Sequence, residues 1–283
     1  MITNDKRVVL ITGTSSGIGR ACAGHLHQRG YRVYGTYRRT QADETAVSGD
    51  ENDQSQSYEL IPMDVTSDTS VERGIANVMS REGRIDVVVN NAGYSLTGSV
   101  EDTSLDEARD QFETNFFGVL RVCRAVLPHM RRQDAGYIVN VSSIAGVIGT
   151  PFQGLYSASK FAIEGLTEAL RMEVKPYHIQ VVIIEPGNFY TKVTANRQIA
   201  LAAQENPGYV ERFTRALGVI EDDELNGPNP MQIAYLLEHI INDPTPRLRY
   251  PVGIVFEKFA ITLKKVLPAR LFEWGFMKYY KLL

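Results

Sequence analysis

The sequence predicts an α/β fold in which one doubly wound sheet of about seven parallel strands is followed by a mostly helical C-terminal extension. Three observations carry this. Short runs rich in β-branched residues alternate with longer stretches of helical period, the pattern of repeated βαβ units whose strands are buried on both faces. The chain has 283 residues, 43% hydrophobic and 22% charged, which suits one core of catalytic size and argues against disorder, a collagen and a polytopic membrane protein. A glycine-rich turn also falls where the first strand hands over to the first helix.

The predicted strands are Val8–Thr12, Arg32–Tyr37, Tyr58–Met63, Ile85–Asn90, Gly136–Val141, Ile179–Glu185 and a short last one at Arg249–Val252. A helix follows the glycine-rich turn to about Arg29. Another runs from Tyr156 to about Tyr177, supported by the apolar spacing of Phe161, Ala162, Leu166, Ala169 and Leu170. Between the second and third strands, Thr40–Ser57 holds five acids, no base and almost nothing apolar, so it reads as an exposed loop. No internal repeat and no linker divides the chain.

Charge and cysteines exclude several function classes. A formal net charge of −3 leaves the whole molecule without an electrostatic footprint for nucleic acid. That average hides an asymmetry: Val252–Leu283 carries Lys258, Lys264, Lys265, Arg270, Lys278 and Lys281 against Glu257 and Glu273, a local +4, so the preceding residues carry −7. Cys22 and Cys123 are the only cysteines and lie at no ligand spacing with His, which reads as free thiols with no disulfide framework and no metal site. Met1–Arg7 is polar and shows no signal-peptide pattern, and no run of roughly 18 to 20 apolar residues is present to span a bilayer. The expectation is a cytoplasmic protein.

The first site candidate is Gly13-Thr14-Ser15-Ser16-Gly17-Ile18-Gly19, directly after the first strand. Glycines let the backbone turn tightly and approach a pyrophosphate, and the new helix aims its N–H groups and positive dipole end at the phosphates. Residues 1–251 are therefore expected to form one dinucleotide-binding catalytic domain, with 252–283 an extension and not an independent domain.

The spacing Thr12-Gly-x-x-x-Gly-x-Gly19 resembles that of the short-chain dehydrogenases/reductases. The resemblance continues through Asp64-Val65, Asn90-Asn91-Ala92-Gly93, Asn115, Ser142-Ser143, Tyr156-x-x-x-Lys160 and Pro186-Gly187-x-x-x-Thr191, six ordered matches down to Thr191. It implies a Rossmann-type fold, a nicotinamide cofactor and carbonyl–alcohol chemistry. Reducing a ketone by hydride transfer builds negative charge on the carbonyl oxygen, so the site needs a donor for that oxygen and an acid to protonate it. Tyr156 is the expected acid. Lys160, four residues on along one helix face, is expected to pull the phenol's pKa down.

By resemblance Ser143 holds the substrate oxygen, with Ser142 the alternative; Lys160 also touches the nicotinamide ribose, and Asn115 holds a water in the proton relay behind the lysine. Resemblance likewise assigns Asp64 and Val65 to the adenine. Pro186, Gly187, Phe189 and Thr191 fall to the nicotinamide, with Phe189 standing where a branched aliphatic residue is common. Asn91, beside Ala92 and Gly93, reads as structural support around the cofactor.

Cofactor choice is legible at the end of the second strand. NAD-selective members place a carboxylate there, whereas Tyr37 occupies that position here, followed by Arg38, and no acid comes before Asp43. NADP(H) is expected, its phosphate paired with Arg38 and helped by Ser15 or Ser16, while Arg39 reads as a solvated loop charge.

Gly149-Thr150-Pro151-Phe152, the stretch around Tyr156 to Leu166, and Pro246-x-Leu248-Arg249-Tyr250 resemble the 17β-hydroxysteroid and retinol dehydrogenase branch. That implies bulky apolar substrates of steroid, retinoid or lipid type, with Tyr94, Leu96, Phe152, Phe189 and Tyr190 as an apolar wall beside Ser143 and Tyr156. Smaller carbonyls, and a catalytically silent cofactor-binding scaffold, stay open as alternatives. Ala195–Ala216 is expected to be a mobile cover over the substrate. Members associate through the helices holding Asn115 and Tyr156, which implies a homo-oligomer, and an extended C-terminus favours the dimer.

The extension itself allows two readings. Val252–Leu283 has twenty hydrophobic residues of thirty-two with lysines between them, broken by Pro268 and Gly275. It fits an interfacial amphipathic segment in peripheral contact with a membrane, and it fits a segment packed over the substrate pocket or a subunit interface.

Overall fold

The computed structural model describes residues 7–38, 58–191 and 197–283. The leading residues Met1–Lys6, Arg39, the acidic stretch Thr40–Ser57 and the start of the expected cover at Ala195 lie outside the described residues.

The strands are β1 (Val8–Ile11), β2 (Arg32–Tyr37), β3 (Glu59–Pro62), β4 (Val87–Asn90), β5 (Leu96–Thr97), β6 (Gly136–Val141), β7 (Ile179–Pro186), β8 (Gln198–Ile199) and β9 (Arg249–Val252). Seven of them form one parallel sheet in the order β3-β2-β1-β4-β6-β7-β9. The predicted strands are these seven, with ends that differ by one or two residues. The pair β5–β8 forms a separate two-residue parallel ladder that was not predicted, being too short to show any periodicity.

The helices are α1 (Gly17–Gln28), α2 (Asp68–Glu82), α3 (Leu105–Phe112), α4 (Gly118–Gln133), α5 (Gly154–Glu173), α6 (Val210–Leu225), α7 (Met231–Asn242), α8 (Val255–Val266) and α9 (Ala269–Tyr279). Successive strand residues point to opposite faces, and both faces are covered. Leu10, Val88, Ile138 and Val181 pack with Val122, Met130 and Ile163 on one side. Val9, Val87, Val139 and Val182 pack with Leu26, Leu237 and Ile240 on the other. Two-sided burial is why these strands read as continuous apolar runs.

Strand order reverses at β1, whose neighbours are β2 on one side and β4 on the other. In open α/β sheets ligands bind outside the carboxyl ends of the strands at such a switch point. The C-terminal extension is helical as expected. Pro268 separates α8 from α9, but Gly275 does not break the chain: it lies inside α9, where one interior glycine costs only about 1 kcal/mol.

Candidate active site

The turn after β1 is built so closely that only glycine fits. Gly13 has φ +69°, and a Cβ there would stand 2.8 Å from the Cα of Ala92; at Gly19 a Cβ would stand 2.3 Å from the Gly13 carbonyl oxygen. Asn91 locks this arrangement. Its Nδ2 donates to the carbonyls of Thr12 and Gly13, both at 2.9 Å, while the Asn91 and Ala92 N–H groups donate to Thr12 Oγ1, also at 2.9 Å. The first turn of α1 carries no acidic side chain and no side-chain cap, so its N–H groups remain for an outside anion.

A cavity of ≈ 620 Å³ starts at this turn. Its wall includes Gly13, Ser15, Ser16, Gly17 and Ile18, then Tyr37 and Arg38 from the end of β2, Asp64 and Val65 after β3, and Asn91, Ala92 and Gly93 after β4. Pro186, Gly187, Phe189 and Thr191 continue it beyond β7. Asp64 is held in place: its Oδ1 accepts from the N–H and hydroxyl of Thr66 at 2.9 and 2.8 Å. Gly19, expected at the cofactor, is outside the wall and buried behind Gly13, where it permits the close packing of the turn. A bare-backbone cradle and an open helix N-terminus fit the phosphates of a nicotinamide dinucleotide.

Ser143, Tyr156 and Lys160 meet on the same cavity wall. Ser143 follows β6, its hydroxyl accepting from the Ala145 N–H at 3.1 Å and hydrogen-bonding Tyr156. Tyr156 and Lys160 lie one turn apart on α5; the ammonium is 5.7 Å from the centre of the phenol ring and donates to the Val141 carbonyl at 2.9 Å. Electrostatics depart from the expectation that the lysine lowers the phenol's pKa. Burial pushes Tyr156 up; the Ser143 hydroxyl and Arg197 pull it back, and Glu224 pushes the same way as burial. Burial also holds Lys160 down, to about 8, against the pull of Glu164. Desolvation outweighs the short-range charge because both groups sit in a low-dielectric wall.

Asn115 is not in that wall. It sits in a widened, π-helical turn, Glu113–Phe117, between α3 and α4. Its amide accepts from the Tyr94 N–H at 3.1 Å and donates to the Tyr94 carbonyl at 3.0 Å and to Ser159 Oγ at 3.2 Å. The side chain therefore fixes the strand-to-loop exit beside Gly93 and does not face the cavity.

At the substrate end Tyr94 and Phe189 line the cavity, but three expected residues do not. Leu96 is buried in a satellite cluster with Ala200, Ala203 and Phe213. Phe152 turns away at φ +58° to pack edge-on against Phe213, with ring centroids 5.6 Å apart. Tyr190 is 60% exposed. From Arg197 onward the expected mobile cover is pinned at a few points, where β8 pairs with β5 and Ala200, Ala203 and Phe213 are buried, while Leu201 is 87% exposed.

The rest of this end comes from α6 and from the C-terminal extension, which lines the substrate end as one of its two readings expected. Ile220, Asp223 and Glu224 from α6, Phe256, Glu257 and Ala260 from α8, and Phe276, Tyr279 and Tyr280 around the end of α9 complete the wall. Glu224 forms a buried ion pair with Arg197, Tyr279 donates to Asp223 Oδ2 at 2.7 Å, and Glu257 accepts from the Asn188 N–H at 2.7 Å. The i, i+4 spacing of Phe272, Phe276 and Tyr280 was the one visible signal; nothing local marked the acids.

A family model of short chain dehydrogenases matches residues 7–201. The chain is 39% identical over 274 residues to 3-ketodihydrosphingosine reductase of Bacteroides thetaiotaomicron, covering 97% of this chain and 98% of that one. It is 34% identical to human retinol dehydrogenase 8, over 92% and 85% of the two chains. The solved structure of ElxO with NADP bound superposes with a TM-score of 0.70 at 26% identity, over 87% of this chain and 97% of that one. With the seven-stranded parallel sheet, the glycine cradle and the Ser143–Tyr156–Lys160 wall, these matches establish that the chain belongs to the short-chain dehydrogenase/reductase family of oxidoreductases.

Proposed function

We propose that this protein is an NADP(H)-dependent oxidoreductase that interconverts a ketone or aldehyde and an alcohol on a bulky, apolar, lipid-like substrate. The observation that carries the reading is the convergence of Ser143, Tyr156 and Lys160 on one cavity that runs from the glycine cradle to an end where Phe189, Ile220, Phe256 and Phe276 stand beside three acids. When bound, the nicotinamide gives or takes the hydride. The chain's own groups manage the oxygen: Ser143 positions it by hydrogen bonding, Tyr156 gives or accepts its proton, and the Lys160 ammonium, 5.7 Å from the phenol ring, supplies positive charge against the desolvation that raises Tyr156.

NADP(H) selectivity is supported by Arg38 in the wall, by Tyr37 in place of a carboxylate and by the NADP-bound relative. A lipid-like substrate is supported by Phe189, Ile220, Phe256 and Phe276, and by relatives named for a ketosphingoid base and for retinol. NADPH and NADH consumption measured against ketosteroids, retinoids, long-chain acyl ketones and small aldehydes is the test. A higher specificity constant with NADH, or turnover confined to small aldehydes, overturns the corresponding part.

A second role is favoured by the outer side of α8 and α9, where Val255, Phe259, Val266, Leu271 and Trp274 are exposed among lysines. We propose peripheral contact with a lipid surface there; among the described residues no helix is long and apolar enough to cross a membrane. Flotation with anionic liposomes tests it, and binding unchanged by Trp274→Glu with Leu271→Glu rejects it.

A further inference from the structure

Behind the lysine lies a buried charge cluster for which the reaction above has no use. Glu164 is one helical turn beyond Lys160 on the same face of α5 and is 5% exposed; Glu185, the next-to-last residue of β7, is 2% exposed. Arg249 of β9 bridges them. Its Nε lies 2.9 Å from Glu164 Oε2 and 3.2 Å from Glu185 Oε1, and its NH2 reaches Glu168 at the surface.

One nitrogen cannot satisfy both carboxylates. Nε carries a single hydrogen, and it is spent on Glu164. Glu185 Oε1 feels the cation but receives no hydrogen bond, and Glu164 Oε1 and Ser142 Oγ, which face each other, also complete no bond of ordinary geometry. The groups facing the pair are Lys160, Glu164 and Glu168 from α5, Glu185 from β7, Arg249 from β9, Lys265 from α8 and the neutral Ser142 after β6.

We propose that Glu164 is a positioning residue for the reaction: with Glu185 and Arg249 it forms a buried clamp that holds one proton on two carboxyls and keeps Lys160 in its charged form. Two buried carboxyls around one guanidinium do not both ionise cheaply. Burial raises both carboxyls, Glu164 above its ordinary range with Ser142 and Arg249 pulling it back, and Glu185 to about 7, pushed also by Glu164 against Arg249 and Lys265. Because Glu164 alone receives the Arg249 Nε hydrogen, the proton is placed on Glu185 and the negative charge on Glu164. That charge opposes the desolvation that holds Lys160 down to about 8. Three catalytic elements thus meet at the clamp: Ser142 precedes Ser143, Glu164 follows Lys160, and Glu185 precedes the Pro186 turn.

This rests on the assignment of Lys160 and Tyr156 made above, and the test separates the two. The specificity constant for carbonyl reduction is measured from about pH 5.5 to about pH 10 for wild type, Glu164→Gln, Glu164→Asp and Glu185→Gln, with melting temperatures alongside. Removing the negative charge makes the lysine a stronger acid, so Glu164→Gln moves the alkaline limb to lower pH by about one unit, and Glu164→Asp restores part of the shift. Glu185→Gln, which copies the protonated carboxyl, abolishes the inflection near neutrality and leaves the alkaline limb in place. A limb that does not move in Glu164→Gln while its melting temperature falls means a structural role only and overturns the proposal. So does an inflection that survives Glu185→Gln. Should Glu164→Gln fail to fold, the Glu164→Asp and Glu185→Gln profiles decide alone. Full activity in Lys160→Met and Tyr156→Phe would instead sink the underlying mechanism.

Discussion

The two ends of the cavity are made in different ways. At the cofactor end a dozen wall residues come from short turns at the carboxyl edges of β1 to β4, where backbone packing leaves little choice of side chain. At the substrate end the wall is assembled from α6, α8 and α9, which lie far apart in sequence and meet only in the folded molecule. The family match stops at residue 201, before any of these helices. One end lies within the span that the family model covers, and the other lies beyond it.

That contrast can be broken or sharpened in order of expected effect. Tyr156→Phe, at the junction, lowers turnover by about 10²- to 10⁴-fold while NADPH binding followed by fluorescence is kept, since only the proton donor is lost. Gly13→Ala should strain the cofactor end alone: a methyl 2.8 Å from the Ala92 Cα at positive φ costs about 1–3 kcal/mol, read as a lower denaturation midpoint with weaker NADPH binding. Arg38→Ala lowers the specificity constant for NADPH by about tenfold or more and spares NADH, because a charge-assisted contact to a phosphate is lost. Phe276→Ala acts at the other end, raising KM for a bulky substrate about 3- to 10-fold with cofactor KM unchanged, as expected for a lost apolar contact worth about 1 kcal/mol. If Phe276→Ala weakened NADPH as much as the substrate, the two ends would not be separable.

The same contrast explains what could be read in advance. The strands, α1 and the cavity-lining residues from Gly13 to Thr191 were legible because parallel strands buried on two faces leave apolar runs, and because those residues sit on turns of fixed spacing. Asn115 shows the limit of spacing: it sits in a π-helical turn where its amide is spent on the Tyr94 backbone and Ser159. Leu96, Phe152 and Tyr190 were expected in the apolar wall, but the small β5–β8 ladder and the Phe152–Phe213 contact hold the first two elsewhere and Tyr190 is exposed. Asp223, Glu224 and Glu257 carried no signal in the sequence because their partners Tyr279, Arg197 and the Asn188 backbone are brought by tertiary contacts alone. Lys160's depressed pKa was equally hidden, since it depends on how deeply α5 is buried and not on its neighbours in the chain.

The edge strand β9 has a consequence in time. It is the last strand of the sheet to be synthesised and pairs only with β7, and it brings Arg249 to two carboxyls whose own segments are complete some sixty residues earlier or more. A chain emerging from the ribosome N-terminus first can shape its nucleotide cradle long before the arginine and the last two helices arrive. Until then Glu164 and Glu185 lack their counter-ion and the substrate end lacks α8 and α9. Premature termination after β7 would thus yield a protein with most of the residues of a cofactor site and no working enzyme.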